Sequence, residues 1–425
     1  MIYSFTVENF LSIKERQTVS FATSKSDKTF RDLVAVEVKP DVYINKLGVF
    51  YGANASGKSN IIFAMTTLFN LLRVPQTEKQ ASVFNYYPFA LTKEVPTYFK
   101  IVFFKDGVQY DYEVTYCQTH ILSESLHFYP TRSKALFYAR KFVNADTQPE
   151  IEFGSKLGLY AKTKQTICEQ TFNNHTVLST FAKVSLKEDA IKITNLYNWI
   201  LSHYHSEDSD TMHQKMIAEM NDVAADPIKK KFYLYMLQKA DFNIVNFSVV
   251  DDDKGLSQDM LDMIKKLPAE NWMPLLKDVI FTNHCKDGDF DIKSNMQSIG
   301  TRRFAGLIGA LYDMVMSNHV YFMDEIGIRL HNDLMAFYLS TFLHNSNQSQ
   351  IFFTTHNIML LEEDFVRRDM VYLVEKNPDT AVSSYARVSD VGLHKNLSLY
   401  NAYKIGRLGA KPDLGSPYLD DVNEC

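Results

Sequence analysis

A glycine-rich loop between a predicted strand and a predicted helix constrains the fold of this chain more than any other feature. Residues 52–59 read GANASGKS and fit the pattern G-x-x-x-x-G-K-[ST] at every fixed position. The apolar residues 47–51 predict a short buried strand before the loop, and apolar residues recur at helical spacing from Ile61 to Leu72 after it. A surface turn with the same letters would not require this strand and this helix. The pattern therefore predicts a phosphate-binding loop.

Each part of this loop has a physical task in such a site. Glycines let the backbone N–H groups point inward, and the helix N-terminus adds partial positive charge. Lys58 would reach the β- and γ-phosphates of ATP, and Ser59 would ligate Mg²⁺. The residues expected to bind the nucleotide are Gly52, Asn54, Ala55, Ser56, Gly57, Lys58, Ser59 and Asn60.

Composition narrows the class of protein. The chain has 425 residues, of which 46% are hydrophobic and 22% charged, as in ordinary globular proteins, and we find no apolar run of membrane-spanning length. The first residues lack the basic and apolar regions of a signal peptide, so we expect a cytoplasmic protein without membrane contact. A net charge of −5 argues against nucleic-acid binding over the whole surface and leaves local contact open.

Three stretches of the chain differ in pattern and predict three units. Residues 1–160 contain the phosphate loop and a β-rich stretch in which Asp106 and Gly107 predict a hairpin turn. Residues 161–240 are dominated by helical patterns and predict a helical insertion. Residues 241–425 alternate helices and strands, which predicts a parallel sheet with its ligand at the carboxyl ends of the strands. The expected strands of this last unit lie near 243–250, 320–323, 351–354 and 370–374.

An apolar strand that ends in two acids predicts the second part of the site. Residues 320–325 read VYFMDE, the form expected of a Walker B segment. Asp324 would hold the Mg²⁺ that bridges the β- and γ-phosphates, and Glu325 would orient or deprotonate the attacking water. A solvated acid pair at a strand end is the alternative, and the phosphate loop in the same chain argues against it.

A second apolar strand delivers a histidine to the same edge of the sheet. Residues 351–357 read IFFTTHN, so Thr355 and His356 follow the strand directly. A single histidine is usually structural. At this strand end, His356 is expected to donate a hydrogen bond to the γ-phosphate and so to register its presence.

Three histidines raise the separate question of a metal site. His203, His205 and His213 lie close together in the predicted helical insertion. Their neighbours are Ser, Asp and Glu in a polar segment, which favours ordinary solvated side chains over a bound metal.

The order of these motifs resembles a known group of proteins. A phosphate loop near the N-terminus, a distant Asp-Glu strand and a strand ending in Thr-His are similar to the ABC-type ATPase heads of the SMC, Rad50, RecF and OLD group, and residues 1–14 resemble its opening strand. Residues 297–301, 367–376 and 403–412 are similar to the AAA15 branch, which includes ATPase subunits of AbiL/RloA-type and PARIS-type defence systems. The resemblance implies an α/β fold, namely an ABC-type head with a mixed sheet, an antiparallel β subdomain and a helical insertion.

The same resemblance implies that two subunits share each nucleotide. Residues 298–301 read SIGT where ABC proteins carry their signature loop, so Ser298 and Gly300 would cap the γ-phosphate bound by a second subunit. An ordinary helix capped by Ser298 is compatible with this role. The family also implies antiphage defence, in which such an ATPase responds to a phage-encoded trigger and controls a separately encoded effector, often a nuclease.

Two other functions compete with the defence role. A repair or recombination ATPase of the SMC or RecF type would carry a long heptad arm or a basic DNA-facing surface, and neither is plain in the sequence. A scaffold that binds ATP without hydrolysing it is the other candidate, and Glu325 argues against it.

Overall fold

The computed structural model describes residues 1–83, 85–184, 188–207, 212–252, 255–268, 272, 275–392 and 397–411. The strands are β1 (Ile2–Glu8), β2 (Gln17–Ser20), β3 (Ala35–Lys39), β4 (Val42–Asn45), β5 (Leu47–Gly52), β6 (Thr97–Lys105), β7 (Val108–Tyr116), β8 (Ile121–Tyr129), β9 (Ala135–Lys141), β10 (Glu150–Phe153), β11 (Tyr204–Glu207), β12 (Ile244–Asp251), β13 (Lys277–Cys285), β14 (Gly288–Lys293), β15 (Val320–Met323), β16 (Gln350–Thr354), β17 (Val371–Lys376) and β18 (Ser383–Arg387). The α-helices are α1 (Arg31–Val34), α2 (Lys58–Arg73), α3 (Ala161–Gln170), α4 (Ile191–His203), α5 (Met212–Ala225), α6 (Pro227–Lys239), α7 (Gln258–Ile264), α8 (Ile299–Met316), α9 (Asn332–Asn345) and α10 (Leu399–Lys404).

A mixed six-stranded sheet carries the predicted site. Its order is β11-β15-β16-β5-β17-β18, and every neighbouring pair is parallel except β17 with β18. The carboxyl ends of β5, β15 and β16 therefore lie at one edge, as the alternating pattern predicted. The predicted phosphate loop follows β5, and the Asp-Glu pair follows β15.

A larger antiparallel sheet lies beside this one. It has seven strands in the order β10-β9-β8-β7-β6-β1-β2. The predicted hairpin is confirmed, because β6 and β7 pair with Lys105 opposite Val108. Asp106 and Gly107 both have positive φ, which is the backbone that a two-residue turn of this kind requires. Smaller antiparallel sheets are formed by β12-β13-β14 and by β3-β4.

Two apolar cores cover the two faces of the six-stranded sheet. Successive side chains of a strand point to opposite faces, so Phe50 joins the core shared with the seven-stranded sheet and α2. Val49 and Tyr51 join the other core, which contains α5, α6, α8 and α9. Burial on both faces explains why β5, β15 and β16 read as continuous apolar runs.

The stretch predicted as a helical insertion also supplies a strand to the central sheet. Helices α3 to α6 lie in it, as expected, but residues 204–207 form β11, with Tyr204 opposite Val320 of β15. The sequence YHSE is too short and too polar to predict a strand, and pairing with β15 creates it. The unit boundaries at 160 and 240 stay a prediction.

The predicted fold class is confirmed by this arrangement. The mixed sheet carries the phosphate loop, and the antiparallel sheet forms a separate layer. Along the chain, helices α3 to α6 come after β5 and before β15 to β18 of the mixed sheet. Within the described residues, none of the helices combines the length and the apolar character needed to cross a membrane.

Candidate functional site

The predicted phosphate loop has the backbone of an anion-binding loop. It joins β5 to α2, with left-handed backbone at Ala55 (φ 60°) and Gly57 (φ 102°). A side chain on Gly57 would collide with the hydroxyl groups of Ser383 and Ser12, so only glycine fits there. The helix begins at Lys58 without a side-chain cap, which leaves its first N–H groups for a ligand.

Hydrogen bonds from Ser383 and Tyr385, which we call the brace, hold the backbone of this loop. The Ser383 hydroxyl donates to the carbonyl oxygen of Ser56 (2.6 Å), and its oxygen accepts from the Ser12 hydroxyl at 2.7 Å. The Tyr385 hydroxyl donates to the carbonyl oxygen of Gly57 (2.7 Å). The sequence analysis missed these braces, because they come from β18 and from the turn after β1, far from the loop in sequence.

Ser59 and Asp324 form a set of oxygen atoms that suits a hard cation. Ser59 Oγ donates to Asp324 Oδ1 at 2.9 Å. The Thr354 hydroxyl also donates to Asp324 Oδ1 (2.5 Å) and accepts from the backbone N–H of Glu325 (2.9 Å). Hydroxyl and carboxylate oxygens are ligands that Mg²⁺ accepts. Ser59 and Asp324 could therefore hold Mg²⁺, with Thr354 orienting both acids.

Thr354 was missed in the sequence analysis, where the following residue, Thr355, was singled out. The Thr355 hydroxyl instead accepts from the backbone N–H of Asn357 (3.0 Å) and shapes the turn after β16. Since β16 ends at Thr354 and Thr355 follows directly, the register of the strand decides which threonine faces the acids. That register follows from pairing with β15, which no local pattern reveals.

Most of the predicted residues line a single cleft of about 420 Å³. The cleft is lined by Asn54, Ala55, Gly57, Lys58, Ser59, Asn60, Glu325 and His356. His356 Nε2 lies 3.9 Å from Glu325 Oε1, so the predicted acid and histidine face each other across it. Gly52 and Ser56 are buried and are not among the residues that line the cleft. The Ser56 hydroxyl is buried and has no hydrogen-bond partner within the described residues, which suits a loop built for an added anion.

Burial tunes the two basic groups of the cleft. It lowers the pKa of Lys58, although the nearby Glu325 and Asp324 carboxylates oppose this shift. The Lys58 ammonium donates to the carbonyl oxygen of Ala53 at 2.8 Å. Burial also lowers the pKa of His356 below 6.5, and the charge of Lys58 lowers it further. Both effects favour the neutral His356 ring, in which one nitrogen carries a hydrogen and can donate.

Ser298 and Gly300 lie apart from this cleft. Ser298 is exposed before α8, and its hydroxyl accepts from the backbone N–H of Thr301 (3.0 Å), so it caps the helix. Neither residue lines the cleft formed by the described part of the same chain. Two exposed apolar side chains flank Ser298, namely Met296 (78% exposed) and Ile299 (47% exposed).

A second cleft, of about 410 Å³, adjoins the first on the side of β11. Ser59, Asn60 and Asp324 contribute to it together with Ser206, Glu207 and Lys215. The Lys215 ammonium contacts Glu207 Oε2 at 2.9 Å. The sequence analysis missed these residues because it did not predict β11.

The histidines considered for a metal site have a different arrangement. His205 Nε2 lies 2.9 Å from His319 Nδ1, and the rings of His203 and His319 stack at 5.5 Å. Burial lowers the pKa of all three, that of His203 to about 4. The side chain of His213 lies outside the described residues. No group of His, Cys, Asp and Glu side chains suited to a metal ion occurs in the described parts of the chain.

Solved structures of SMC heads are similar to this chain. The SMC head domain from Thermotoga maritima has 13% sequence identity and a TM-score of 0.40, covering 91% of this chain and 98% of that domain. The SmcHead bound to the C-winged helix domain of ScpA has 12% identity and a TM-score of 0.43, covering 94% of this chain and 99% of its own. No curated protein gives a significant match to the sequence.

A family model described as "AAA domain, putative AbiEii toxin, Type IV TA system" matches residues 48–362, which is more than half of the chain. The match begins in β5 and includes the phosphate loop, the Asp-Glu pair and the strand before His356. The AAA15 branch and the AbiL/RloA-type and PARIS-type systems are finer assignments, and these stay predictions. Because the matched residues cover most of the chain, the chain belongs to this AAA-domain family.

Proposed function

We propose that the protein binds and hydrolyses ATP in a Mg²⁺-dependent reaction. The observation that carries the proposal is the cleft in which Lys58, Glu325 and His356 face one another above the Ser59–Asp324 contact. Lys58 and the N–H groups of the loop bind the phosphates, and Ser59 with Asp324 holds the cation. Bound Mg²⁺ would neutralise charge that develops on the phosphate oxygens.

Glu325 and His356 would act at the γ-phosphate. Glu325 orients the attacking water and accepts its proton, as a carboxylate at this position can. Neutral His356 donates a hydrogen bond to a γ-phosphate oxygen. Because phosphoryl transfer depends mostly on positioning and charge neutralisation, these contacts supply the main requirements of the reaction.

We further propose that two copies of the chain share each ATP. Ser298 and Gly300, absent from the cleft of their own chain, would cap the γ-phosphate held by a second copy. The exposed Met296 and Ile299 beside Ser298 support this, since contact with another subunit would remove them from water. The α8 N-terminus would then present its dipole to the shared γ-phosphate.

The test measures whether ATP converts the protein from monomer to dimer in solution. Glu325→Gln protein, in which turnover is slow, should be monomeric without nucleotide and dimeric with ATP and Mg²⁺ by light scattering. The same protein carrying Lys58→Ala should stay monomeric. Dimerisation that is indifferent to ATP would overturn the shared site, and absence of ATP binding by Glu325→Gln protein would overturn the nucleotide site itself.

We propose antiphage defence as the biological role. The family description names an AbiEii toxin of a Type IV toxin–antitoxin system, which supports a function in abortive infection. The protein would act in the cytoplasm as a sensor that answers a phage-encoded trigger and controls a separate effector, a nuclease by family resemblance.

Phage plating on cells that carry the chain with its neighbouring genes tests this role. Protection should need both Lys58 and an adjacent effector gene. Sensitivity to DNA damage without any change in phage plating would instead favour the repair and recombination ATPase.

A further inference from the structure

Arg303 links the two halves of the proposed site within one chain. It lies on α8, five residues after the Ser298 cap, and its side chain is buried (7% exposed for the residue). Its Nη2 donates to the carbonyl oxygen of Glu325 at 3.1 Å. The helix that begins at the γ-phosphate-capping loop therefore contacts the backbone of the residue that would activate water.

The Glu325 backbone is held in a conformation that depends on such contacts. Its φ is 49°, the left-handed region, which costs a non-glycine residue free energy and persists only when its surroundings fix it. Its N–H donates to Thr354 Oγ1, and its carbonyl oxygen accepts from Arg303 and from the backbone N–H of Ile328 (3.0 Å). Removal of the Arg303 contact would loosen the carbonyl side of this arrangement.

The segment after Glu325 also lies against the Ser298 loop. A side chain on Gly300 would come within 3.3 Å of the carbonyl oxygen of Arg329, so the two backbones pack closely. The turn from Gly327 to Leu330 closes with a backbone hydrogen bond of 3.1 Å. A shift of the Ser298 loop would therefore displace the segment that carries Glu325.

We propose that Arg303 is a positioning residue that couples the two ATP sites of a dimer, an inference that rests on the shared site proposed above. In one subunit, the Ser298 loop contacts the ATP of the partner, and Arg303 transmits that contact to Glu325, which acts on the subunit's own ATP. Each site thus hydrolyses ATP faster when the other site holds nucleotide. Arg303 is not among the described residues that line the nucleotide cleft.

Hydrogen exchange measured by mass spectrometry tests this coupling in full-length protein that carries Glu325→Gln. ATP with Mg²⁺ should slow exchange in three segments of that protein, namely residues 52–60, 298–303 and 325–330. Adding Arg303→Met should keep the first two effects and abolish the effect on 325–330. Arg302→Met, an equal loss of charge at the neighbouring position on α8, should leave all three effects intact.

The second readout compares the effects of Arg303→Met on kcat and on KM for ATP, in protein that is otherwise wild type. Arg303→Met should lower kcat about tenfold or more, as misplacement of a reacting group does, with KM for ATP changed less than about twofold. Arg303→Lys retains a cationic donor and should recover part of both kcat and the exchange effect. If Arg303→Met fails to fold, Arg303→Lys decides, and a kcat and an exchange pattern equal to those of wild type would overturn the proposal.

The outcomes separate this inference from the proposed function. In protein that carries Glu325→Gln alone, ATP could slow exchange at residues 52–60 without slowing it at residues 298–303. That result would mean that the site is not shared, and it would overturn both the shared site and the coupling through Arg303. Slower exchange at 298–303 together with an unchanged effect on 325–330 in Arg303→Met protein would overturn the coupling alone.

Discussion

The two halves of the proposed ATP site differ in how the chain holds them. The phosphate loop is braced from below by Ser383 and Tyr385, and its glycines fit against neighbouring backbone and hydroxyl groups. The Ser298 loop lies at an exposed helix start, between the solvent-exposed side chains of Met296 and Ile299. One half is preorganised by its own chain, and the other half has a free face that a partner would complete.

The largest expected effect comes from the preorganised half. Lys58→Ala should lower ATP affinity and hydrolysis by roughly 100-fold or more, because it removes the cation that contacts the phosphates. Isothermal titration with ATP and a phosphate-release assay measure the two quantities. Lys162→Ala, an exposed lysine on α3, is the control and should have no effect. Unchanged ATP affinity of the Lys58 variant would contradict the assignment of the loop.

Substitution of Glu325 should separate ATP binding from ATP hydrolysis. Glu325→Gln keeps the size of the side chain but cannot accept a proton, so hydrolysis should fall by roughly 100-fold or more while ATP affinity stays within about twofold. Single-turnover hydrolysis measures the first, and titration the second. Glu362→Gln, at an exposed acid, serves as the control. A near-normal rate in the Glu325 variant would remove it from the catalytic role.

Weakening the brace tests why the first half is preorganised. Ser383→Ala removes two hydrogen bonds beneath the loop, so we expect the free energy of unfolding to fall by about 1 kcal/mol and KM for ATP to rise about threefold. Urea denaturation and steady-state kinetics measure these quantities. Ser384→Ala, at the exposed neighbour on β18, should change neither. Equal effects of the two substitutions would argue against the brace.

The smallest expected effect concerns the histidine cluster behind β15. The folded-state pKa values of His203, His205 and His319 lie below the ordinary value of 6.5, so the unfolded chain binds more protons as the pH falls. Stability should therefore decrease below about pH 6.5. His319→Asn should reduce the loss of melting temperature between pH 7.5 and 5.5 by about 2 °C, and exposed His344→Asn should not. An unchanged pH dependence in the His319 variant would contradict this.

Local patterns in the sequence were enough to predict the main elements of the site. The phosphate loop, the strand before Asp324 and the strand before His356 each follow from a short run of residues with a distinctive period or composition. Thr354, Arg303, Ser383 and β11 could not be predicted in this way. Each contacts a part of the chain that is distant in sequence, and only the strand register and the helix packing bring the two parts together.

The central claim, that two copies share each ATP, is tested most directly by mixing two inactive variants. Ser298→Arg would block the γ-phosphate contact across the interface, and Lys58→Ala would remove binding in its own chain. In a mixed dimer one site collects both lesions and the other collects none. With random exchange of subunits, half of the dimers carry one intact site, so roughly a quarter of all sites are intact. The mixture should therefore regain hydrolysis that each variant alone lacks, at about a tenth of the normal rate per intact site, because the empty partner site removes the coupling through Arg303. No recovery, with subunit exchange verified by mass spectrometry, would contradict the shared site and indicate a cleft that closes within one chain.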